Sequence, residues 1–343
     1  MVSELEEEIN KEANEKKRSI ETFTREIEKS TILVADEFHK TKSSKTKVTK
    51  RFRKLFAVVK KKHGKCIALT ATPIMNRPSE FKTLLDNLDL LKISFGNSEN
   101  FYKFFGGSFD FNKKRLVFNH KLRQPEEIKK RVKSILFIKL KEDVIEQLPE
   151  RIETNISVPI RNKLASQLHE LGSPKWLLAN TYSPLFTVYT EAREALSLEK
   201  IDALNDLLDT YEEIDKPVIV FSCFTKVLRE ISKRKGWELI DGTTDVIKRS
   251  ISCAKFNKGQ LKGLAISRGS GSTALSISGT DTAISVDLSL TPAINYQCEE
   301  RINRINSIKN NLHYIYLISD HPFEREMHEL IREKEQLRKD TLG

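Results

Sequence analysis

Apolar residues in this chain cluster in short blocks, and charged segments of helical period separate the blocks. Residues 31–35 (TILVA) and 66–69 (CIAL) are continuous apolar runs, which is how parallel strands buried on both faces read. Between them Phe52, Leu55, Phe56, Val58 and Val59 recur at helical spacing. Upstream, Leu5, Ile9, Ala13, Ile20, Phe23 and Ile27 make an imperfect stripe of period 3.6, which predicts an exposed amphipathic helix over 4–29. Ser79 is placed to cap a helix running to Leu90, with Glu80 in its first turn. Residues 95–119 are aromatic, glycine-bearing and without period, and helices are expected at 125–134 and 140–147.

Pro149 marks a change of register. Residues 152–160 alternate as a strand, and helices are expected at 161–171 and 198–212. The run PVIVFS at 217–222 is a strand, 225–235 a helix, 238–240 a strand and 246–257 a helix. A strand at 264–267 enters a Gly/Ser-rich loop. Another follows at 283–287, then a helix from Pro292 with Thr291 as its cap, a strand at 314–318 and a last helix at 322–338. Strands that alternate with helices imply an α/β fold with a parallel sheet. The boundary between two lobes falls near 135–152, and there is no internal repeat.

A length of 343 residues agrees with two domains, each able to bury its own core. No run reaches the roughly 18 apolar residues that span a bilayer, so no membrane partner is expected. Cys66, Cys223, Cys253 and Cys298 lie far apart with no C-x-x-C pair, which argues against zinc and against a disulfide scaffold and points to reduced thiols in a cytoplasm. The net charge is +11, yet residues 40–65, with ten lysines, two arginines and no acid, carry +12 and leave −1 for everything else. Charge so concentrated attracts phosphate backbones. A solvated helix face or a basic tail is the competing reading, and the apolar residues interleaved at helical spacing weigh against the tail.

Several groups carry candidate chemistry. Asp36-Glu37-Phe38-His39 follows a strand, where ligand sites of open parallel sheets lie. One acid of such a pair can hold Mg²⁺ while the other orients or deprotonates a water. Thr70 and Thr72 end the next strand. Gln297, Arg301 and Arg304 are spaced to share one helix face, and paired guanidinium forks suit a polyphosphate. Gly269-Ser-Gly271-Ser-Thr-Ala274 formally matches a dinucleotide fingerprint, with Asp287 eighteen residues on as its ribose acid. That Rossmann reading fails on the short helix interrupted at Gly279 and leaves the acid pair, the arginines and the basic segment unexplained.

In this order the motifs resemble the Swi/Snf-type ATPases of helicase superfamily II. DEFHKTKSSKTK is similar to the family's DExH box, LTATPIMN to its LTGTPIQN, and ILFIKLKEDVIEQLPERIE to the segment joining its lobes. VIVFS and IDGTTDVIKR resemble the first motifs of its second lobe, SRGSGSTALSISGTDTAI its STKAGGLGINLTAADTVI, and QCEERINRINS its QAMDRAHRIGQ. The likeness covers 31 to about 320, and the compact size is most similar to phage-encoded helicases and the annealing-helicase branch.

The resemblance implies two RecA-like parallel-sheet lobes: a charged helix at 1–30, the C-terminal part of lobe 1 at 31–135 and lobe 2 at 136–343. It implies ATP hydrolysis coupled to movement along DNA in the cytoplasm of a bacterial or phage-infected cell. Asp36 would hold Mg²⁺ and Glu37 would activate water. His39, Thr70, Thr72, Gly271 and Gln297 would couple the nucleotide to motion, and Arg301 and Arg304 would act as arginine fingers. DNA would touch Lys60, Lys61, Lys62, Ser222, Gly242, Thr243, Ser267 and Ser270 through its backbone, without reading sequence. The family's phosphate-binding loop G-x-x-x-x-G-K-[ST] is absent: the sole Gly-Lys, Gly64-Lys65, is followed by Cys66, and Val59 stands where the first Gly is needed. The expectation is therefore a truncated or split enzyme whose first lobe is incomplete on its N-terminal side, or a DNA-binding remnant that needs a partner chain for ATPase activity.

Overall fold

The computed structural model describes residues 27, 30–74, 77–110, 115–118, 122–139, 149–174, 185–271, 275–302 and 311–342. The helices expected at 4–29 and 140–147 lie outside them. The chain divides into two units, one of residues 1–137 with 340–343 and one of 138–339.

In the first unit β1 (Ile32–Ala35) pairs in parallel with β2 (Lys65–Ala68), Ile32 opposite Lys65 and Ala35 opposite Ala68. The crossover between them is α1 (Lys47–Lys61), whose first turn is capped by the Thr46 hydroxyl accepting the Thr49 N–H at 3.3 Å. Thr49 and Val59 of α1 are buried, and Phe52 meets Phe38 edge-on at 4.9 Å and stacks on Phe56 at 5.9 Å. The interleaved apolar residues thus form the inner face of α1. The two strands are not buried on both faces as their sequence suggested. Ile32 (58%), Val34 (55%), Ile67 (47%) and Leu69 (47%) stay exposed on the face away from α1, because β1 and β2 form a two-stranded sheet that only α1 covers among the described residues.

The next helix, α2 (Pro78–Asn87), starts one residue before Ser79. Pro78 is its first residue, and the Glu80 carboxylate accepts the Arg77 N–H at 3.4 Å, so Ser79 is not the cap. Asn87 ends it and reaches back to the loop after β1, its Nδ2 donating to the Thr41 carbonyl at 2.9 Å. The aperiodic stretch holds α3 (Leu91–Phe95), α4 (Ser98–Phe104) and the antiparallel pair β3 (Gly107–Asp110) and β4 (Arg115–Phe118). Helices of one to two turns are too short to show a period. Their aromatics make the local core instead: Phe81, Phe95, Phe101 and Phe105 are each 0–1% exposed. α5 (Pro125–Lys133) closes the unit.

The second unit is a six-stranded, all-parallel sheet in the order β5 (Glu150–Val158), β10 (Asn311–Ser319), β9 (Thr282–Ser285), β6 (Val218–Ser222), β8 (Gly263–Ser267) and β7 (Trp237–Ile240). Its helices are α6 (Asn162–Leu171), α7 (Leu185–Glu199), α8 (Ile201–Glu213), α9 (Thr225–Ile231), α10 (Val246–Asn257), α11 (Pro292–Glu299) and α12 (Pro322–Leu342). The helix expected at 198–212 is divided at Lys200 between α7 and α8. Period-two alternation explains the continuous apolar run of β6. Val218 and Val220 pack with Leu204, Leu208 and Leu228 on one face, while Ile219 and Phe221 pack with Phe256, Cys298 and Tyr314 on the other.

Candidate functional site

The first group sits where β1 ends. Asp36 is exposed, and its Oδ1 accepts the Glu37 N–H at 2.7 Å. Glu37 takes the left-handed region, φ 50° and ψ 45°, which turns the chain from strand into the 3-10 turn Phe38–Thr41. The loop after β2 is stitched to it by backbone bonds, Leu69 N–H to Ala35 O at 2.8 Å and Phe38 N–H to Leu69 O at 2.9 Å. His39, 8% exposed, completes the join: its Nδ1 lies 3.1 Å from Glu37 Oε2 and 3.0 Å from Thr70 Oγ1. Two oxygen neighbours, one a carboxylate, favour the Nδ1–H tautomer that donates to both. Thr70 Oγ1 also accepts the Thr72 N–H at 3.1 Å, and Thr72 is buried. The structure therefore brings Glu37, His39, Thr70 and Thr72 into one chain of contacts.

Burial lowers the His39 pKa, and the nearby Glu37 carboxylate opposes that only in part. The folded state thus holds this imidazole neutral more firmly than the unfolded chain, whose histidines titrate near 6.5. The stability contributed is present above about pH 6.5 and is lost as pH falls below it, because the unfolded state then binds the extra proton. Replacement by Gln, which cannot titrate, is expected to flatten the dependence of the unfolding midpoint on pH between about 5 and 7; an unchanged profile would count against a neutral, buried His39.

Among the described residues no three His, Cys, Asp or Glu side chains gather as a metal cluster. Nucleotide-bound Mg²⁺ takes only one or two carboxylates and fills its shell with phosphate and water, so the solvent-facing Asp36 carboxylate fits that role.

In the second unit the candidate residues collect at the carboxyl ends of β6, β7 and β8, on α11 and just past its end. One helical turn, Arg268–Gly271, follows β8. Arg301 donates from Nε to the Gly271 carbonyl at 3.0 Å, and a side chain at Gly271 would press on Cys298 Sγ of α11 at 3.1 Å. Gly271 is thus joined to α11 and to Arg301. Because α11 ends at Glu299, Arg301 lies two residues past it and does not share a helix face with Gln297 as its spacing suggested; Arg304 lies outside the described residues. Ser267 Oγ accepts the Ser270 N–H at 3.3 Å, and Ser270 is buried. Gly242 and Thr243 are exposed at the end of β7, where the Thr243 hydroxyl and N–H both donate to Asp241.

Ser222 requires a correction. It is 0% exposed; its hydroxyl donates to Asp287 Oδ2 at 2.5 Å and accepts the Phe224 N–H at 3.0 Å. A hydroxyl so committed cannot touch DNA, and it ties strand ends together instead. Asp287 also accepts the Cys223 N–H at 2.8 Å and the Ser197 hydroxyl at 3.2 Å. The carboxylate that a ribose would need is consumed internally, a second reason against the Rossmann reading. Arg268 is a buried residue of this cluster that no sequence pattern marks. It is 1% exposed and bonds the Asp287 carbonyl at 2.8 Å and the Ser285 hydroxyl at 2.6 Å. One arginine in a Gly/Ser loop gives no sequence signal of such burial.

Lys60 and Lys61 end α1, and Lys62 is the residue that follows it. Lys60 pairs with Asp89 at 2.6 Å and Lys62 donates to the Ile27 carbonyl, which leaves Lys61 as the more available of the three. The exposed cationic face of the helix comprises Lys47, Lys50, Arg51, Lys54 and Lys61, at spacings that keep them on one side.

Parallel strands that carry an acid pair at a carboxyl end in the first unit, and hydroxyls at their carboxyl ends with Arg301 just past α11 in the second, are those of a RecA-like α/β protein of helicase superfamily II. The family follows from the sequence match: the model of the SNF2-related domain matches residues 9–201 and that of the helicase conserved C-terminal domain matches 199–306, and the chain belongs to the SNF2-related family. It is 24% identical over 313 residues to the SWI/SNF-related matrix-associated actin-dependent regulator of chromatin subfamily A-like protein 1 of Xenopus tropicalis, which covers 83% of this chain and 31% of that protein. It is 25% identical over 184 residues to the helicase SWR1 of Kluyveromyces lactis, 52% of this chain and 12% of the relative. The chain thus spans under a third of the length of these relatives. Among solved structures, the C-terminal part of the Fun30 ATPase domain aligns over 42% of this chain and 54% of that one, at 23% identity and a TM-score of 0.36.

Proposed function

We propose that this chain carries the DNA-engaging and nucleotide-coupling parts of an ATP-dependent DNA translocase or helicase. The observation that supports it best is the contact chain Glu37–His39–Thr70–Thr72, which joins the acid pair to the loop after β2. In this reading Asp36 would hold Mg²⁺, which supplies charge neutralisation on the phosphates. Glu37 orients and deprotonates the attacking water, and a shift of its carboxylate is passed through His39 to Thr70 and Thr72. Arg301 and Arg304 stabilise charge on the transferring phosphoryl group. No G-x-x-x-x-G-K-[ST] occurs among these residues, so in this reading the phosphate cradle is supplied by another segment or chain.

A second reading, a DNA-binding component whose ATPase activity depends on a partner chain, is favoured by the apolar face of Ile32, Val34, Ile67 and Leu69, which is uncovered among the described residues. Parallel sheets are normally covered on both faces, so this face suits a further polypeptide segment, from this protein or another.

DNA binding is the direct test. Duplex affinity is expected to be insensitive to base sequence, and with about five phosphates neutralised log K should fall against log salt with a slope of roughly −4 to −5. Changing Lys50, Lys54 and Lys61 together to Gln should reduce that slope by up to about 3 if each touches a phosphate. Fluorescence anisotropy at several salt concentrations reads both. A triple variant with unchanged affinity and slope would remove α1 from the binding surface.

A further inference from the structure

Contacts from two strands converge on one residue of α11. Arg151 of β5 places Nη2 2.7 Å from Glu299 Oε2 and 2.8 Å from the Tyr316 hydroxyl of β10. That hydroxyl donates onward to Glu299 Oε1 at 3.1 Å. Tyr314, also on β10, donates to the Glu299 carbonyl at 3.2 Å, and the Arg151 guanidinium lies 4.2 Å over the Tyr314 ring. Glu299 is the last residue of α11, and its side chain is 7% exposed. A carboxylate so buried is tolerated only when paired and hydrogen-bonded, and here both oxygens and the carbonyl of one residue are engaged. Burial works against the Arg151 charge, but Glu299 outweighs it and holds the guanidinium protonated. Burial likewise pushes both tyrosines up, so their hydroxyls remain donors at working pH.

Two residues beyond Glu299 is Arg301, itself tied through Nε to the Gly271 carbonyl. We propose that Arg151, Tyr314 and Tyr316 are positioning residues for Arg301. By fixing the end of α11 through Glu299 they hold the Arg301 guanidinium in one place before a phosphate arrives. Preorganised charge of this kind stabilises a transition state without reorganisation during the reaction. The inference rests on Arg301 being a phosphate-facing residue, as proposed above, but the positioning itself is measurable without nucleotide.

The test uses the full chain with ¹⁵N-labelled arginine. It follows exchange of the Arg301 Nε–H with water, the signal being identified by its loss in Arg301→Lys. Arg151→Met is expected to speed this exchange by about tenfold, the equivalent of losing one charged hydrogen bond. Tyr316→Phe, which keeps the ring and so protects the fold, should speed it several-fold, and Arg151→Lys should restore most of the protection. The Arg234 Nε–H, bonded to Glu212 at 2.8 Å in a separate cluster, should not change. Unaltered Arg301 exchange in Arg151→Met and Tyr316→Phe, or an equal rise at Arg234, would overturn the proposal. In an assembly supplied with a phosphate-binding loop, Arg151→Met should lower kcat at constant KM for ATP. If Arg301→Ala leaves turnover intact there, the reading of Arg301 fails while the exchange result stands. If Arg301→Ala abolishes turnover and Arg151→Met leaves kcat alone, the positioning role fails.

Discussion

Purified by itself, the chain is expected to show negligible ATP turnover even with saturating duplex DNA. The reason lies in what holds a triphosphate. A phosphate-binding loop needs glycines that let backbone N–H groups converge, a lysine for the outer phosphates and a helix that starts at once. The one Gly-Lys pair does none of this. Gly64 lies between α1 and β2, where an added Cβ would meet the Thr31 carbonyl at 2.5 Å and Val59 Cγ1 at 2.6 Å. Lys65 opens a strand, its N–H donating to the Thr31 carbonyl at 2.9 Å. This glycine therefore serves a tight strand entry. Arginine fingers contribute about 10³–10⁵ in rate, but only to a nucleotide that is already held. Once a polypeptide bearing such a loop is supplied, Arg301→Ala and Glu37→Gln should each remove most of the restored turnover, with the DNA affinity of Arg301→Ala largely kept. Robust turnover by the chain alone that Glu37→Gln abolishes would show that these residues cradle phosphate in a way the sequence conceals. A coupled-enzyme ATPase assay with and without duplex DNA decides it.

What could be read in advance follows from how local the determinants are. The second unit was legible almost strand by strand. Runs such as VIVFS are bounded by turns, and both faces of that sheet are covered, so the apolar pattern and the burial agree. The same pattern misled at β1 and β2, since TILVA carries no information about whether anything lies on Ile32 and Val34. The aromatic stretch was opaque because helices of five and seven residues show no period, while Phe95, Phe101 and Phe105 find one another only in three dimensions. In the candidate site, adjacency along the chain suggested Asp36, Glu37 and His39, and the resemblance supplied Thr70, thirty-one residues from the imidazole it touches. Ser222 was placed correctly at a strand end, but its accessibility depends on Asp287, sixty-five residues away. Arg151 and Glu299 are 148 residues apart, and no spacing rule connects them.

The largest expected loss of stability comes from a buried pair outside the candidate site residues. Lys200, at the break between α7 and α8, is 0% exposed. Its ammonium donates to the Val286 carbonyl at 2.9 Å, the Leu317 carbonyl at 2.7 Å and Glu324 Oε1 at 2.5 Å. Glu324, at the start of α12, also accepts the Ser319 N–H at 2.7 Å. One cation thus joins the chain just after β9 and the end of β10 to the break between α7 and α8 and to α12. Burial alone would raise the Glu324 pKa; the Lys200 ammonium, His328 and the Ser319 N–H overcome it and hold the acid at about 2. An acid depressed below its unfolded value contributes stability above about pH 4.5, and that contribution drains away as pH falls toward 2. Lys200→Met leaves the carboxylate buried without its cation and should cost about 3–5 kcal/mol. Glu324→Gln should cost less, since the amide still offers an oxygen to Lys200 and to the Ser319 N–H. Joining Lys200→Met with Glu324→Leu should recover part of the loss, because no charge is then stranded, although the Val286 and Leu317 carbonyls lose their donor. Urea unfolding of Lys200→Met, Glu324→Leu and the double variant at pH 7 measures the coupling. Additive losses would mean that the two side chains are stabilised independently, and that the join between strands and helices does not depend on their pairing.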